Sequence, residues 1–162
     1  MKSQHCAATV NIFFVSPITY LYLFTLAQEV TMNFSADIQE RINFSETRMI
    51  KCVFPETTNH YNTLFGGTAL NWMDEVAFIT ATRFSRKKMV TVSLDKTDFQ
   101  KPIPAGTFAE IYGVVTHVGN KSLKVGVKIF VEQMYSNKRE IAVSGLFSMV
   151  AIDETGKPTA VN

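Results

Sequence analysis

The residues Asn59-His60-Tyr61-Asn62-Thr63-Leu64-Phe65-Gly66-Gly67-Thr68-Ala69-Leu70-Asn71-Trp72-Met73-Asp74-Glu75 run from a polar turn, through a glycine pair, into a long segment with helical periodicity. Glycines permit unusual dihedrals and close backbone approach. From Thr68 to Phe84 there is neither Gly nor Pro, and Ala69, Met73, Val76, Ala77, Thr80 and Phe84 recur at helical spacing. A helix start presents free N–H groups and the positive end of a dipole. Such a place suits a carbonyl oxygen that gains negative charge during a reaction. One carboxylate, Asp74, follows Gly67 by seven positions.

Upstream, Arg48 to Phe54 has strand character and Pro55 stops it. The polar loop Glu56 to Thr63 leads into the helix, whose far end carries Arg83, Arg86, Lys87 and Lys88, a charge sign that suits the negative end of the dipole. From Met89 the period changes to two. Val90, Val92 and Leu94 alternate with polar residues, and Phe99 to Gly106 is a proline-punctuated turn. Phe108 to Val118 is the next strand, Gly119-Asn120-Lys121 a tight turn, and Leu123 to Val131 the clearest half-buried strand. Ser136-Asn137-Lys138 turns the chain into a last strand, Ile141 to Ile152, and a polar tail. The expected class is α+β, one long helix lying across an antiparallel sheet of five or six strands. Leu70, Met73, Val76, Ala77, Phe78, Ile79 and Ala81 make the helix apolar on more than one side, so the sheet must curl around it. A strand edge or helix face left over would be covered by a second copy.

The 162 residues suffice for one domain with a sizeable core. Apolar residues make up 46% and charged ones 19%, an ordinary globular balance. A net charge of +2 gives no reason to expect nucleic acid as a partner. Cys6 and Cys52 form neither a disulfide framework nor a metal-ligand spacing. Residues 1–31 read as foreign to the rest: Lys2 precedes an uncharged apolar stretch, Ile12 to Ala27, interrupted by Pro17. Three readings stand: a start at Met32 with the leader mis-assigned, a signal peptide cleaved after Thr25-Leu26-Ala27, or a retained membrane anchor. The first is preferred, because everything after Met32 reads as a complete soluble domain. The expected organisation is thus a leader over 1–31, a flexible or weakly helical lead-in over 32–47, the domain proper over 48–157 and a tail over 158–162.

The succession Asn59…Phe65-Gly66-Gly67-Thr68…Met73-Asp74, then Val90-Thr91-Val92 and Phe99-Gln100-Lys101-Pro102…Gly106, is similar to the hotdog-fold acyl-CoA thioesterases, and most of all to the short cytosolic acyl-CoA hydrolases with one hotdog domain. The resemblance covers about residues 45–157, with several motifs in the right order. It implies a hotdog fold, a central helix wrapped by the sheet, and a homodimer at least, extended to a tetramer or hexamer. It also implies hydrolysis of acyl-CoA to free acid and CoA in the cytoplasm, without a metal or any cofactor, CoA being part of the substrate. Phe65 departs from the pattern, since many relatives carry His or another polar residue there.

By this carry-over Asp74 is the activator. It either deprotonates water or attacks the thioester carbon itself. The Gly67 N–H is the candidate oxyanion donor, and the Asn59 amide assists or holds the water, with Asn62 as the alternative amide. Phe65, Gly66 and Thr68 are expected along the substrate. Lys121 and Ser122 match a CoA-contacting position of the family, and Lys101 is a second cation for the CoA phosphates. His60 and His117 have no assigned role. Seven helical residues separate Gly67 and Asp74 by about 10 Å along the axis, too far for both to act on one carbonyl. In a two-fold dimer, Asp74 of one copy can face the Gly67 turn of the other, so the active site is expected between subunits. The competing expectation is a non-catalytic or regulatory acyl-CoA-binding protein.

Overall fold

The computed structural model describes residues 34–162, and the expectations for the leader lie outside them. In chain order the elements are helix α1 (Ala36–Ser45), strand β1 (Thr47–Cys52), a single 3-10 turn (Pro55–Thr57), helix α2 (Gly66–Ser85), and strands β2 (Lys88–Phe99), β3 (Thr107–Val118), β4 (Ser122–Gln133) and β5 (Arg139–Ile152). The five strands form one antiparallel sheet in the order β1-β3-β4-β5-β2. Both the fold class and the single long helix are as expected.

Period-two patterning explains the sheet. Val125, Val127 and Ile129 of β4 and Val143, Phe147 and Met149 of β5 are buried against α2, while Lys124, Lys128, Ser144 and Ser148 alternate with them toward the opposite face. Two glycines let the helix sink into this surface. A Cβ at Gly113 would stand 2.6 Å from Val76 Cγ1 and 2.7 Å from Thr80 Oγ1, and one at Gly145 would stand 2.9 Å from Met73 Cε. Neither glycine has a positive φ, so both serve close approach alone. The helix buries Ala69, Trp72, Met73, Val76, Ala77, Thr80, Ala81 and Phe84. Each large apolar side chain among these contributes about 1.5–3 kcal/mol of transfer free energy.

Two segments differ from expectation. Residues 36–45 of the lead-in form α1, because Ile38 and Ile42 share one helical face that packs on the core. Arg41 lies over the Phe84 ring and donates to the Phe84 carbonyl at 2.9 Å. Arg83 in turn donates to the carbonyls of Phe44 and Glu46, which end α1 (2.6 and 2.7 Å). The tail is strapped to the domain: Val161 is fully buried, its N–H donates to the Asn120 carbonyl at 2.9 Å, and Thr159 N–H donates to the Ala151 carbonyl at 2.8 Å. Among the described residues, no helix is long and apolar enough to cross a membrane.

Candidate active site

The glycine pair is not the turn before α2 but its first turn. Phe65 is the N-cap residue, with no side-chain hydrogen bond, and the first intrahelical bond runs from Ala69 N–H to the Phe65 carbonyl at 3.0 Å. The N–H groups of Gly66, Gly67 and Thr68 therefore precede the hydrogen-bonded ladder, at the positive end of a 20-residue helix. Neither glycine needs an unusual dihedral, since the positive-φ glycines are Gly106 and Gly156. A Cβ at Gly66 would meet the Phe99 ring at 3.7 Å, and one at Gly67 would meet Phe65 Cδ1 at 3.8 Å, both ordinary contacts. The fold therefore requires neither glycine. What the pair creates is a bare helix start at which another group can approach the N–H row.

Four exposed residues, Gly67, Asn71, Asp74 and Phe78, follow one another at spacings of four, three and four along α2. They form one stripe on the side the sheet leaves uncovered. Strand β2, an outer strand of the sheet, runs beside this stripe: the Phe99 ring lies against Gly66, Thr91 meets Asp74, and Met89 shares a cavity with Phe78. Asp74 is exposed within one chain, although Leu70, Met73, Ala77 and Phe78 neighbour it along the helix. Met73 and Ala77 turn to the buried side of the helix, because successive residues are rotated by about 100°. Thr91 Oγ1 donates to Asp74 Oδ1 at 2.7 Å, fixing one carboxylate oxygen. Glu75, adjacent in sequence, is 3.9 Å from Lys51 on another side of the helix.

The polar loop before α2 closes on itself. Asn59 Oδ1 accepts from the N–H groups of Tyr61 and Thr63 (2.9 and 3.3 Å) and from Thr63 Oγ1 (3.2 Å). With that oxygen engaged, the donating Nδ2 is the end left for a ligand. Asn62 has φ 57° and donates its N–H to the Asn59 carbonyl at 3.0 Å, the place of a turn residue. Phe65 is exposed beside the glycines, and Thr68 is half-buried in the first helical turn. Lys101 lies near Gly66 at the same end of the molecule, its ammonium paired with Glu140. Lys121 and Ser122 do not join them. Ser122 is level with Val150, and Val150 with Val90 at the start of β2, whereas Gly66 is level with Phe99 at its end. That length of strand is about 30 Å. Lys121 Nζ donates to the Pro158 carbonyl at 3.1 Å. Among the described residues, no group of His, Cys, Asp and Glu is gathered to hold a metal ion.

One chain thus carries two separated groupings: Asn59 near the Gly66-Gly67 helix start, and Asp74 with Thr91. Thr91 was not among the residues singled out for chemistry. An alternating strand offers no local sign that one of its threonines reaches a helix 17 positions upstream.

Residues 61–137 match the model of the thioesterase superfamily. The chain is 40% identical over 118 residues to the uncharacterized acyl-CoA thioester hydrolase YkhA of Bacillus subtilis, an alignment that takes in 72% of this chain and 69% of that protein. Among solved structures it is similar to an acyl-CoA hydrolase of Staphylococcus aureus in complex with butyryl-CoA, CoA and CoA disulfide. The TM-score is 0.71 at 36% identity, over 74% of this chain and 73% of that one. It is also similar to an apo-hexameric acyl-CoA thioesterase, with TM-score 0.72 and 35% identity over 74% and 76%. Alanine variants of the Staphylococcus aureus hydrolase have been solved at an Asn, at an Asp 15 residues after it, and at a Thr 17 residues after that. With this fold, this helix start and these relatives, the chain belongs to the thioesterase superfamily, among its hotdog-fold acyl-CoA hydrolases.

Proposed function

We propose that the chain hydrolyses acyl-CoA thioesters at a site built from the Asn59–Gly67 half of one copy and the Asp74–Thr91 half of another. The observation that carries this reading is the exposed stripe, in which a helix start and a Thr-held carboxylate share one uncovered face yet stand about 10 Å apart. A two-fold axis crossing the stripe between them reverses the helix direction and superposes the two halves. The intervals of 15 and 17 residues in the Staphylococcus aureus variants are those from Asn59 to Asp74 and from Asp74 to Thr91, which supports giving these three residues a shared role.

The thioester carbonyl oxygen sits at the Gly67 N–H, with the Asn59 Nδ2 donor near it. Asp74 Oδ2 takes a proton from a water molecule while Thr91 holds Oδ1, and the resulting hydroxide attacks the carbonyl carbon. Negative charge moves to the carbonyl oxygen, where the N–H row and the dipole stabilise it. The C–S bond then breaks, and the CoA thiolate leaves and takes up a proton. Phe65 and Thr68 flank the path of the substrate, and Lys101 offers a cation for CoA at the same end. The two-fold that joins the halves also brings the Lys121–Ser122 turn of the second copy to the end that holds Gly67, so these two residues serve CoA across the dimer.

A panel of acyl-CoAs assayed with a free-thiol reagent tests the reading. Hydrolysis that disappears in Asp74→Ala, with folding intact, is expected. Tight acyl-CoA binding without turnover in the wild type would make the chain a binding protein instead.

A further inference from the structure

After β5 the chain turns back on itself. Asp153 Oδ1 accepts from Thr155 N–H, Thr155 Oγ1 and Lys157 N–H (2.8, 2.7 and 3.0 Å), and Gly156 takes the turn at φ 80°. Pro158 then pairs antiparallel with Ile152, and residues 158–162 run past the Gly119-Asn120-Lys121 turn that joins β3 to β4. We infer that this returning segment is a positioning strap: it holds that turn, and through it the Lys121 ammonium, in place for the phosphates of CoA. The inference rests on the role proposed for Lys121 and adds Pro158 and Val161 to it as positioning residues.

Three observations carry it. The first is how the turn is held. Gly119 N–H donates to the Ser122 carbonyl at 2.8 Å, and Ala151 N–H of β5 donates to the Lys121 carbonyl at 3.0 Å. The strap supplies the rest: Val161 N–H donates to the Asn120 carbonyl at 2.9 Å, and the Pro158 carbonyl accepts from Lys121 Nζ at 3.1 Å. It thus grips the turn at its backbone and at its cation. The second is that the strap is itself anchored. Val161 is fully buried in the core, Thr159 N–H donates to the Ala151 carbonyl at 2.8 Å, and Asn162 Oδ1 accepts from Arg41 of α1 at 2.9 Å. The third is the kind of partner that the exposed Lys121 has. Lys88, Lys101 and Lys124 are each paired with a carboxylate, whereas Lys121 is pinned by a neutral carbonyl. That bond takes one of three ammonium donors and leaves the charge to meet an anion. A free lysine loses much rotamer freedom when it binds a ligand, and one already held loses less.

The test is KM and kcat for butyryl-CoA and for the butyryl thioester of N-acetylcysteamine, which carries the reacting sulfur and no phosphate. Both are measured on the wild type, Val161→Ala, Lys121→Ala and the double variant. Val161→Ala, which loosens the strap, should raise KM for butyryl-CoA about three- to tenfold and keep kcat within about twofold, with the N-acetylcysteamine thioester unaffected. Lys121→Ala should raise the same KM about tenfold or more. The double variant should be no worse than Lys121→Ala, because the strap acts through that side chain. Val161→Thr, which keeps the shape and puts a hydroxyl in the core, decides the matter if the alanine variant does not fold. Equal losses for both thioesters, additive losses in the double variant, or a wild-type KM in Lys121→Ala would overturn the role of the strap and leave hydrolysis standing. If neither thioester turns over, hydrolysis itself fails, and calorimetric Kd values for CoA across the same proteins then decide the role of the strap by the same comparison.

Discussion

Asp74 is a solvent-facing helix carboxylate whose hydrogen-bond partner among the described residues is the Thr91 hydroxyl. Removing an exposed group of this kind leaves stability within about 0.5 kcal/mol, whereas removing a general base lowers turnover about 10²–10⁴-fold. Asp74→Ala should therefore melt like the wild type and hydrolyse acyl-CoA at least about a hundred times more slowly, as read from thermal unfolding and kcat on the same preparation. Thr91→Ala should lower kcat by less, and Thr91→Ser, which keeps the donor, should restore most of it. A different acid works on the outer face of the sheet. Asp95 pairs with Lys124 and accepts from Ser93 and Ser148, and these bonds, the Lys124 bond foremost, hold its carboxyl at about 2 instead of 3.8. A carboxylate whose folded value is depressed stabilises the fold above its unfolded value and loses that contribution as pH falls through the folded one. The Asp95 carboxyl carbon should accordingly titrate near 2 by NMR, and in Lys124→Met its midpoint should move up toward 3.8.

Among the elements, α2 was the most legible. Its lack of Gly and Pro after residue 68 and its apolar spacing placed it to within two residues at the N-terminus and one at the C-terminus. The four strands after it were equally plain, because their polar and apolar residues alternate. Helix α1 was less so. Its sequence is mostly polar, and what holds it is a set of distant partners, Phe84 beneath Arg41 and Arg83 at its last carbonyls, which no local pattern reveals. The glycines divide in a way that the sequence could not show. Gly113 is demanded by packing: Gly113→Ala drives a methyl group into Val76 and Thr80 and should cost about 1–3 kcal/mol in urea unfolding. Gly67→Ala meets nothing closer than 3.8 Å, should fold at least as stably, and should nevertheless lose hydrolysis if, as proposed, the substrate approaches at this N–H. Finding both glycines equally intolerant in unfolding would make the pair a packing device.

At the scale of the whole molecule, one margin is unfinished. Among the described residues, strand β2 ends the sheet with 12 residues and no neighbour on its outer side, and Val92 and Phe99 along it, with Phe65 and Phe78 at and on the helix beside it, are all about half exposed. A long open edge flanked by apolar side chains suits a second copy, as the proposed dimer requires. In the proposed dimer, pairing β2 with its two-fold mate would continue the sheet and turn the two stripes to face each other. The sequence carried the separation of Gly67 and Asp74, and with it the expectation of a second chain. It could not show that both lie on one exposed face beside an open strand, because that follows from which side of α2 the sheet covers.

The shared site is tested most directly by complementation. Asp74→Ala and Asn59→Ala are each made, shown to be inactive, and then co-expressed with different tags so that mixed dimers can be purified. In a mixed dimer, one of the two sites joins an intact Asn59 half from one chain to an intact Asp74 half from the other. Purified mixed dimers should thus recover about half the wild-type activity per dimer, while each variant alone stays inactive. Mixed dimers as inactive as their parents would contradict a site built across the two-fold.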